Sequence, residues 1–401
     1  MHHDTWPLLA YEEIPWQRSE GDFEFIPKSA RRKISPTYLA AVPREIESAR
    51  IDLSSNLMLR LSELRAEMAR FDAGQMERSY NLPALLLRSE SSASSQIERL
   101  TSSVRNVALA ELSEMASANA LMIARNVRAM RTALALPDTF DENTVLSIHR
   151  ELAKSGETAP AGEFRSEQVW IGGTAFSPHG ARFVPPAAHR IPVLMADWRA
   201  FVLREDIDPL AKAAVAHAQF ETIHPFTDGN GRCGRTLIHK MLRRDGILET
   251  ATLPVSAGLL HHADAYMTAL DAYHEGDCES IITQVANAAE IALALGSATR
   301  SEIDNLIGEW EEAISERKNS AIRRLPELVV EQPVVDTAYV ARKLSITPRS
   351  ATTLIARACE LGILRKIGAA KRGAFYQAPE IIAILDRISS REAIRRTLSE
   401  S

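Results

Sequence analysis

The sequence predicts a mainly α-helical protein with a small β-hairpin near its middle and a helix-turn-helix segment near its C-terminal end. Apolar residues recur at helical spacing over most of residues 45–71, 83–136 and 140–295. The exception is residues 160–186, where two short apolar runs lie between Gly and Pro residues, a pattern typical of a hairpin. Residues 326–401 combine two short helical patterns with two strand patterns.

The composition is that of a globular protein. Of the 401 residues, 45% are hydrophobic and 25% are charged, which argues against disorder along the whole chain. This length predicts two or three domains. The net charge of −5 argues against a dedicated nucleic-acid coat. Three Cys residues lie far apart with no CxxC pair, which argues against a disulfide framework and a structural zinc site.

The same sequence features predict a cytoplasmic protein with no membrane partner. The first residues lack the basic-then-apolar pattern of a signal peptide. Charged residues or Gly interrupt the longest apolar runs well before the ~20 residues that a membrane span needs. A reducing cytosol also fits the odd number of cysteines.

The N-terminal part is expected to be an arm followed by helices. Residues 1–43 contain five Pro, two Trp and little periodicity, which predicts an arm packed on a later part of the chain. A helix is expected over residues 45–71, with Gly74 as its stop, and a second helical region over residues 83–136. The Ser-rich stretch 89–96 has the composition of a linker, but apolar residues flank it on plausible helical faces.

Two helices are predicted in the central region after the hairpin. Asp208 is an N-cap residue and Pro209 suits the first helical position, so a helix is expected from there to about Thr222. A second helix starts near Gly231 and ends at Gly246, with two Arg residues in its last turn, where cations suit the helix dipole.

The C-terminal segment differs in charge from the rest of the chain. Residues 326–401 contain 12 basic and 8 acidic residues, whereas the preceding residues contain 35 basic and 44 acidic ones. Helices are predicted at 337–344 and 349–361, followed by strands at 363–367 and 374–376. This order is typical of a winged helix-turn-helix.

The segment that carries the chemistry is HPFTDGNGRCGR, residues 224–235, which links the two central helices. Gly229 and Gly231 allow positive φ angles and close approach of a ligand to the backbone. Their N–H groups at a helix N-terminus form an anion site, to which Asn230 can add an amide donor.

Charged side chains surround this anion site. Arg232 and Arg235 are three residues apart and project from one side of the helix, where guanidinium groups suit phosphate oxygens. Asp228 is a hard oxygen ligand that suits a magnesium ion shared with phosphates. His224 can take a proton near neutral pH and is a candidate general base. Together these groups indicate phosphoryl or nucleotidyl transfer.

A structural alternative is a Gly-rich turn with two solvated Arg residues, which would be favoured for a GNG triplet alone. The run lacks the Lys-Ser or Lys-Thr pair of a GxxxxGK[ST] phosphate loop. It also lacks the alternating acidic positions of an EF-hand.

The twelve residues resemble the HxFx[DE]GNGRxxR motif of Fic-domain proteins, with every specified position filled. The resemblance extends to GEFR at 162–165, WIGG at 170–173 and the helix at 211–221. It implies a helical Fic core with a β-hairpin flap, an N-terminal helical region and a C-terminal winged helix-turn-helix. The implied activity is that of a protein adenylyltransferase, which moves AMP from ATP to a Ser, Thr or Tyr hydroxyl of a target protein and releases pyrophosphate.

The resemblance implies a role for each motif residue. His224 would deprotonate the incoming hydroxyl, and Asp228 would hold Mg²⁺ against the α- and β-phosphates. The turn formed by Gly229, Asn230 and Gly231 would line the phosphate nest. Arg232 would bind the γ-phosphate, and Arg235 would support the nest or the phosphates. The hairpin near 169–184 would correspond to the flap, which pairs with the target backbone by strand addition.

A second element is similar to the inhibitory helix of self-restrained Fic proteins, whose pattern is [ST]xxxE[GN]. Ser94 and Glu98 match this pattern, but Arg99 stands where Gly or Asn is usual. The pattern implies that Glu98 pairs with Arg232, removes the partner of the γ-phosphate and repels it. The alternatives are that Glu98 is an ordinary helix glutamate, or that Arg99 pairs with it and weakens the inhibition.

The nucleotide and the wider function have alternatives. Of the adenine-site pattern common in the family, only Tyr266 fits, within residues 262–267, so a nucleotide other than ATP stays open. One alternative function is a DNA-binding regulator whose Fic core senses nucleotide and whose segment 326–401 binds DNA. The others are removal of AMP, with Glu98 positioning water, and transfer of another phosphate-linked group. A homodimer is also open.

These predictions divide the chain into four parts. Residues 1–135 would form the arm and helical region with the inhibitory helix, and residues 136–298 the Fic core. Residues 299–325 would form a charged helical connector, and residues 326–401 the winged helix-turn-helix.

Overall fold

The computed structural model describes residues 6–16, 34–76, 78–113, 116–153, 160–174, 176–368 and 373–400. Within these ranges the chain forms sixteen α-helices and five short strands. The predicted mainly α class is therefore confirmed.

The helices are numbered in chain order. The first eight are α1 Ser55–Ala73, α2 Leu82–Ile97, α3 Val104–Ala110, α4 Ala118–Ala135, α5 Glu142–Leu152, α6 Ile191–Val202, α7 Pro209–Ile223 and α8 Asn230–Arg244. The others are α9 Val255–His261, α10 Ala263–His274, α11 Cys278–Ala313, α12 Leu325–Glu331, α13 Thr337–Leu344, α14 Pro348–Glu360, α15 Pro379–Ile388 and α16 Arg391–Glu400. Short 3₁₀ turns, at Ala188–Arg190 and Ala321–Arg324, precede α6 and α12.

The strands form two small antiparallel sheets. β1 Ala10–Pro15 pairs with β2 Thr37–Val42, with Tyr11 opposite Ala41. The predicted N-terminal arm therefore contains a two-stranded ribbon. In the C-terminal segment, β3 Val334–Asp336, β5 Phe375–Gln377 and β4 Arg365–Ile367 lie in that order.

The centre of the fold is the antiparallel pair α7 and α8, which are connected by the 224–229 loop. Nearly every residue of α7 is buried, including five alanines, and small side chains let neighbouring helices approach closely. Asp208 caps α7 as predicted, because its side chain accepts hydrogen bonds from the backbone N–H groups of Leu210 and Ala211. This pair fixes both ends of the loop that carries the motif.

Helix α11 packs against α7, α9 and α10. By length and composition alone it is apolar enough to cross a membrane, yet 56% of its most apolar window is buried inside the fold. That burial is what a long core helix shows.

The predicted N-terminal helices differ from the observed ones in extent. The helix expected over residues 45–71 begins only at Ser55. The region expected to be helical over 83–136 contains α2, α3 and α4, because Ser103 and Ser117 start new helices as N-caps. The Ser-rich stretch 89–96 belongs to α2 and is almost completely buried, so the linker interpretation is wrong.

The predicted hairpin near 169–184 is formed by two isolated antiparallel bridges, Ile171 with Phe183 and Thr174 with Ser177. The C-terminal segment contains the predicted helices α13 and α14 and the predicted strands β4 and β5, with β3 as an additional strand. Residues 369–372, which include Lys371 and Arg372 of the predicted wing, lie outside the described residues. The predicted boundary between the Fic core and the connector, after residue 298, lies inside helix α11. No break in secondary structure marks it there, so this boundary stays a prediction.

Candidate active site

The motif loop is held between two residues in left-handed conformations. His224 ends α7 with φ 51°, and Gly229 precedes α8 with φ 79°. Glycine adopts this conformation without steric cost, whereas histidine does so only where the surroundings impose it. The loop therefore projects the His224 side chain away from the path of the helix.

Asn230 and His149 fix the inside of the loop. The Asn230 side chain accepts a hydrogen bond from the Phe226 N–H and donates one to the Phe226 carbonyl, both at 2.8 Å. The Phe226 ring stacks on His149 at 3.7 Å. His149 Nδ1 accepts from the Gly162 N–H, so Nε2 carries the proton and donates to the Asp228 carbonyl at 3.0 Å. The Asn230 amide is thus used inside the loop, and only its backbone remains for a ligand.

Arg165 holds the outer side of the loop through backbone carbonyls. Its Nε donates to the His224 carbonyl at 2.8 Å, and its Nη2 donates to the Pro186 carbonyl at 2.6 Å. Its backbone N–H donates to the Pro225 carbonyl. Burial lowers the pKa of this guanidinium to about 10, so it stays charged at neutral pH beside His224. Arg165 is therefore a positioning residue for the left-handed His224.

The His224 imidazole is neutral at pH 7. Burial, with the charge of Arg165 adding to it, lowers its pKa to about 4. Its Nδ1 lies 3.3 Å from the Glu221 carbonyl, to which a neutral imidazole donates. The lone pair of Nε2 is then available to accept a proton.

A titration tests this protonation state. We expect the His224 ring signals, assigned by their loss in a His224→Ala variant, to keep the neutral pattern from pH 8 down to about pH 5 in NMR spectra. Protonation should occur only near pH 4. A His224 midpoint near 6.5 would contradict the burial argument.

Glu98 from α2 lies against the two motif arginines. Its Oε2 accepts from Arg232 Nε at 2.7 Å, and its Oε1 accepts from Arg235 Nη2 at 2.9 Å. The arginine side chains are 3% exposed and that of Glu98 is 25% exposed. A Cβ at Gly231 would clash with Glu98 Oε1, so the carboxylate sits directly on the turn that the sequence predicts to bind an anion.

Ser94 and Asp228 complete the contacts of the arginines. Arg235 donates from Nε to the Ser94 hydroxyl at 2.9 Å and from Nη2 to the Ser94 carbonyl at 2.8 Å. Arg232 Nη2 donates to Asp228 Oδ2 at 3.0 Å. The Asp228 side chain is 72% exposed, so one of its faces is open to solvent and to a cation. The Ser94 and Glu98 positions predicted from the pattern thus converge on the motif.

A cavity of about 500 Å³ joins these residues. Its lining includes Glu98, His224, Asp228, the turn 229–232, Arg235 and Tyr266, together with flap residues Trp170, Ile171 and Phe183. This volume is in the range of small-molecule sites. The structure therefore brings every predicted site residue to one cavity, with Ser94 just behind Arg235.

Tyr266 is deeply buried, so its hydroxyl is not freely available to contact the base of a nucleotide. Burial raises its pKa, and its hydroxyl is 2.7 Å from His217 Nε2. The Tyr266 hydroxyl is thus engaged in an internal hydrogen bond, and the aromatic ring is the part that can contact a ligand in the cavity.

Sequence reasoning gave no role to His149, Arg165 or Glu221. Glu221 lines the cavity one helical turn before His224, and burial raises its pKa to about 7. Its Oε1 is buried without a hydrogen-bond partner among the described residues. The sequence marked Arg165 through the GEFR run and Glu221 only as part of the 211–221 helix, because the contacts of His149 and Glu221 depend on tertiary packing.

The backbone conformation at Arg99 explains why the inhibitory-helix pattern has Gly or Asn after the glutamate. Glu98 caps the end of α2, and Arg99 follows it in the left-handed conformation with φ 63°. Gly, and to a lesser degree Asn, tolerates this conformation. Arg99 is exposed, and the ion pairs of Glu98 within the described residues are with Arg232 and Arg235.

Replacing Arg99 with glycine is expected to stabilise the protein by about 1 kcal/mol, because glycine removes the left-handed strain. The thermal unfolding midpoint should rise by roughly 2 °C in calorimetry. Arg99→Ala removes the same side chain but keeps the strain, so it should give no gain. An equal gain in both variants would assign the effect to the arginine side chain instead.

Comparisons with known proteins indicate the family of the central region. Residues 139–242 match the model of the Fic/DOC family. A protein adenylyltransferase of Caenorhabditis elegans is 26% identical over 190 residues, which is 47% of this chain and 35% of that protein. A probable protein adenylyltransferase of Aquifex aeolicus is 32% identical over 140 residues, which is 35% of this chain and 38% of that protein.

The matches to curated relatives are partial, since the chain spans about a third of the length of the first of them. A Fic family protein from Desulfovibrio desulfuricans G20 has a similar structure, with a TM-score of 0.54 and 20% identity. The match covers 82% of this chain and 97% of that one, and it supports the fold alone. Residues 139–242 of this chain therefore belong to the Fic/DOC family.

Proposed function

We propose that this chain is a magnesium-dependent protein adenylyltransferase that moves AMP from ATP to a Ser, Thr or Tyr hydroxyl of a target protein and is restrained by Glu98. One observation carries the proposal. A neutral His224, an anion-binding helix N-terminus and two buried arginines face one cavity, and a carboxylate occupies the place of an anionic ligand.

His224 acts as the general base. Its free Nε2 accepts the proton of the target hydroxyl while that oxygen bonds to the α-phosphorus of ATP. The bond between the α-phosphorus and the bridging oxygen breaks, and pyrophosphate leaves with the electron pair. The hydrogen bond from Nδ1 to the Glu221 carbonyl stabilises the imidazolium that results.

The backbone at the start of α8 and the two arginines bind the phosphates. The N–H groups of the Gly229–Gly231 turn point out of the helix N-terminus, where the dipole favours negative charge. Arg232 binds the γ-phosphate in place of Glu98, and Arg235 supports the neighbouring phosphate. Their burial strengthens these charge-assisted hydrogen bonds.

Asp228 fits a magnesium ion. Its carboxylate is a hard oxygen donor at the cavity mouth with most of its surface exposed. The described residues contain no group of three or more His, Cys, Asp or Glu that could hold a metal, so phosphate oxygens and water would supply the other ligands. When bound, Mg²⁺ neutralises charge that develops on the phosphates.

The flap is proposed to pair with the target backbone near residues 169–184. Ile171 and Phe176 are exposed there, and Ile171 borders the cavity. An exposed strand-like segment beside the base suits an extended peptide that presents a hydroxyl to His224.

A labelling experiment with the Glu98→Gly variant tests the function. We expect transfer of label from ATP labelled at the α-phosphate to the protein itself or to a target in a lysate, and no transfer from ATP labelled at the γ-phosphate. Transfer should need Mg²⁺ and His224. Label from the γ-phosphate would indicate a phosphotransferase instead, and no label from either position would overturn the proposal.

The alternative functions predict different outcomes. If Glu98 positions water for AMP removal, the wild-type protein should release AMP from a pre-modified target and Glu98→Gly should not. A DNA-binding regulator would retain specific DNA through residues 326–401 while its core remains inactive with both labels. The described basic residues of that segment give no observation that favours this alternative, and a cytoplasmic location and a homodimer likewise stay proposals.

A further inference from the structure

Helix α2, whose C-cap residue is Glu98, is buried between the Fic domain and the C-terminal segment. All eleven residues from Leu85 to Ser95 are buried, although seven of them are polar. A buried polar helix is stable only where its side chains find partners. On one side these partners are the motif arginines and Asn126 of α4, whose Nδ2 donates to the Ser91 carbonyl at 3.0 Å.

On the other side the partners are carbonyl groups at the end of α15. The Ser89 hydroxyl donates to the Ile388 carbonyl at 2.7 Å, and Gln96 Nε2 donates to the Ser389 carbonyl. The last carbonyls of a helix have no partner within the helix, so these two side chains satisfy groups that would otherwise be unpaired. We call the Ile388–Ser389 carbonyl pair the α15 end.

A second connection lies at Arg88, the residue before Ser89. Its Nη1 donates to the Glu331 carbonyl at 2.6 Å, and its Nη2 donates to the Gln332 side chain. Its Nε pairs with Glu111 at 2.6 Å, and the Arg88 side chain is 2% exposed. Two separate parts of the C-terminal segment are therefore hydrogen-bonded to the same inhibitory helix.

The contact at Gln96 is close to Glu98 in sequence and in structure. The turn after α2 is short, with the Glu98 and Leu100 N–H groups both bonded to the Ser95 carbonyl and the Arg99 N–H bonded to the Gln96 carbonyl. A displacement of Gln96 is thus transmitted to Glu98 through one turn of backbone.

The packing beside this contact is open. A cleft of about 730 Å³ lies between residues 101–104, just after the turn, and residues Asp386 to Thr397 of the C-terminal segment. The cleft interrupts close packing beside Gln96, although Leu385 and Ile388 of α15 are buried in the core. The hydrogen bonds of Ser89 and Gln96 therefore join the α15 end to α2 at the edge of an open space.

We propose that the α15 end is a latch on the inhibitory helix, so that displacement of the C-terminal segment weakens the hold of Glu98 on Arg232 and Arg235. This inference rests on the proposed function, because it assigns a regulatory input to the same site. Residues 326–401 would then regulate the Fic domain, and any partner that displaces them would weaken the contacts of Glu98.

A double variant, Ser89→Ala with Gln96→Ala, tests the latch. We expect faster hydrogen–deuterium exchange of the amides at residues 98–100 and an ATP affinity about five- to tenfold higher than that of the wild type, as expected for the loss of two hydrogen bonds. Ser389→Ala is the matched control, because Ser389 contributes its carbonyl, which the substitution keeps. The single variant Gln96→Ala should give an intermediate result if the double variant folds poorly.

The Glu98→Gly background separates the two proposals. There the latch substitutions should not raise ATP affinity further, because the group they release is already absent. If Glu98→Gly raises ATP affinity and the latch variants match Ser389→Ala in exchange and affinity, the latch is wrong and the proposed function stands. If Glu98→Gly itself does not raise ATP affinity, the proposed inhibition by Glu98 is wrong. Unchanged amide exchange at residues 98–100 in the latch variants would overturn the latch.

Discussion

Replacing Glu98 with glycine is expected to raise ATP affinity about 10- to 100-fold, as measured by calorimetry with MgATP. In the wild-type protein a phosphate must displace a carboxylate that is bonded to both Arg232 and Arg235. The negative charge of Glu98 also repels the phosphate at short range. Removal of the carboxylate takes one acceptor from each of these buried arginines, and an anion then gains by restoring the lost bonds.

Two variants make this result specific. Glu98→Gln keeps the size of the side chain but removes its charge, so its ATP affinity should lie between those of the wild type and Glu98→Gly. Glu316→Gly breaks a different ion pair, with Arg357 at 2.7 Å, and should leave ATP affinity unchanged. Equal ATP affinity in Glu98→Gly and the wild type would contradict the inhibitory role of Glu98.

Replacing His224 with alanine in the Glu98→Gly protein is expected to reduce the rate of AMP transfer by about 10²- to 10⁴-fold, the usual contribution of a general base. The dissociation constant of MgATP should stay nearly the same, because in the proposed complex the α8 N-terminus and the arginines bind the phosphates and His224 does not. Rapid-quench labelling at saturating MgATP measures the rate, and calorimetry measures the affinity.

The exposed His189 provides the control, since His189→Ala should leave both quantities unchanged. A His224→Ala variant that transfers AMP at the rate of its parent would remove the base from the mechanism. If the variant loses both ATP binding and transfer rate, the role of His224 is to hold the structure of the loop. The left-handed conformation of His224 is the observation behind this alternative role.

The motif allowed much of the site to be predicted from the sequence. Two glycines, an Asn and two Arg within twelve residues specify a turn at a helix N-terminus, and the structure has that turn. The placement of Ser94 and Glu98 against the motif arginines also follows from the sequence, because the two residues are one helical turn apart. The inhibitory role of Glu98 stays a proposal.

The remaining parts depend on contacts between distant segments. His149 reaches the loop from α5, 79 residues before Asp228, and no local pattern marks that contact. The Ser-rich part of α2 has the composition of a linker, yet its hydroxyls are buried because helices on every side supply partners or packing. The amide role expected for Asn230 was also incomplete, since its side chain closes the loop.

The most direct test of the central claim is a crystal structure of the Glu98→Gly protein with ATP and Mg²⁺. We expect a triphosphate on the Gly229–Arg232 turn, with a γ-phosphate oxygen bonded to Arg232 where Glu98 Oε2 lies in the wild-type structure, and a metal ion beside Asp228. A nucleotide bound elsewhere, with Arg232 and the turn left unliganded at saturating ATP, would contradict that claim.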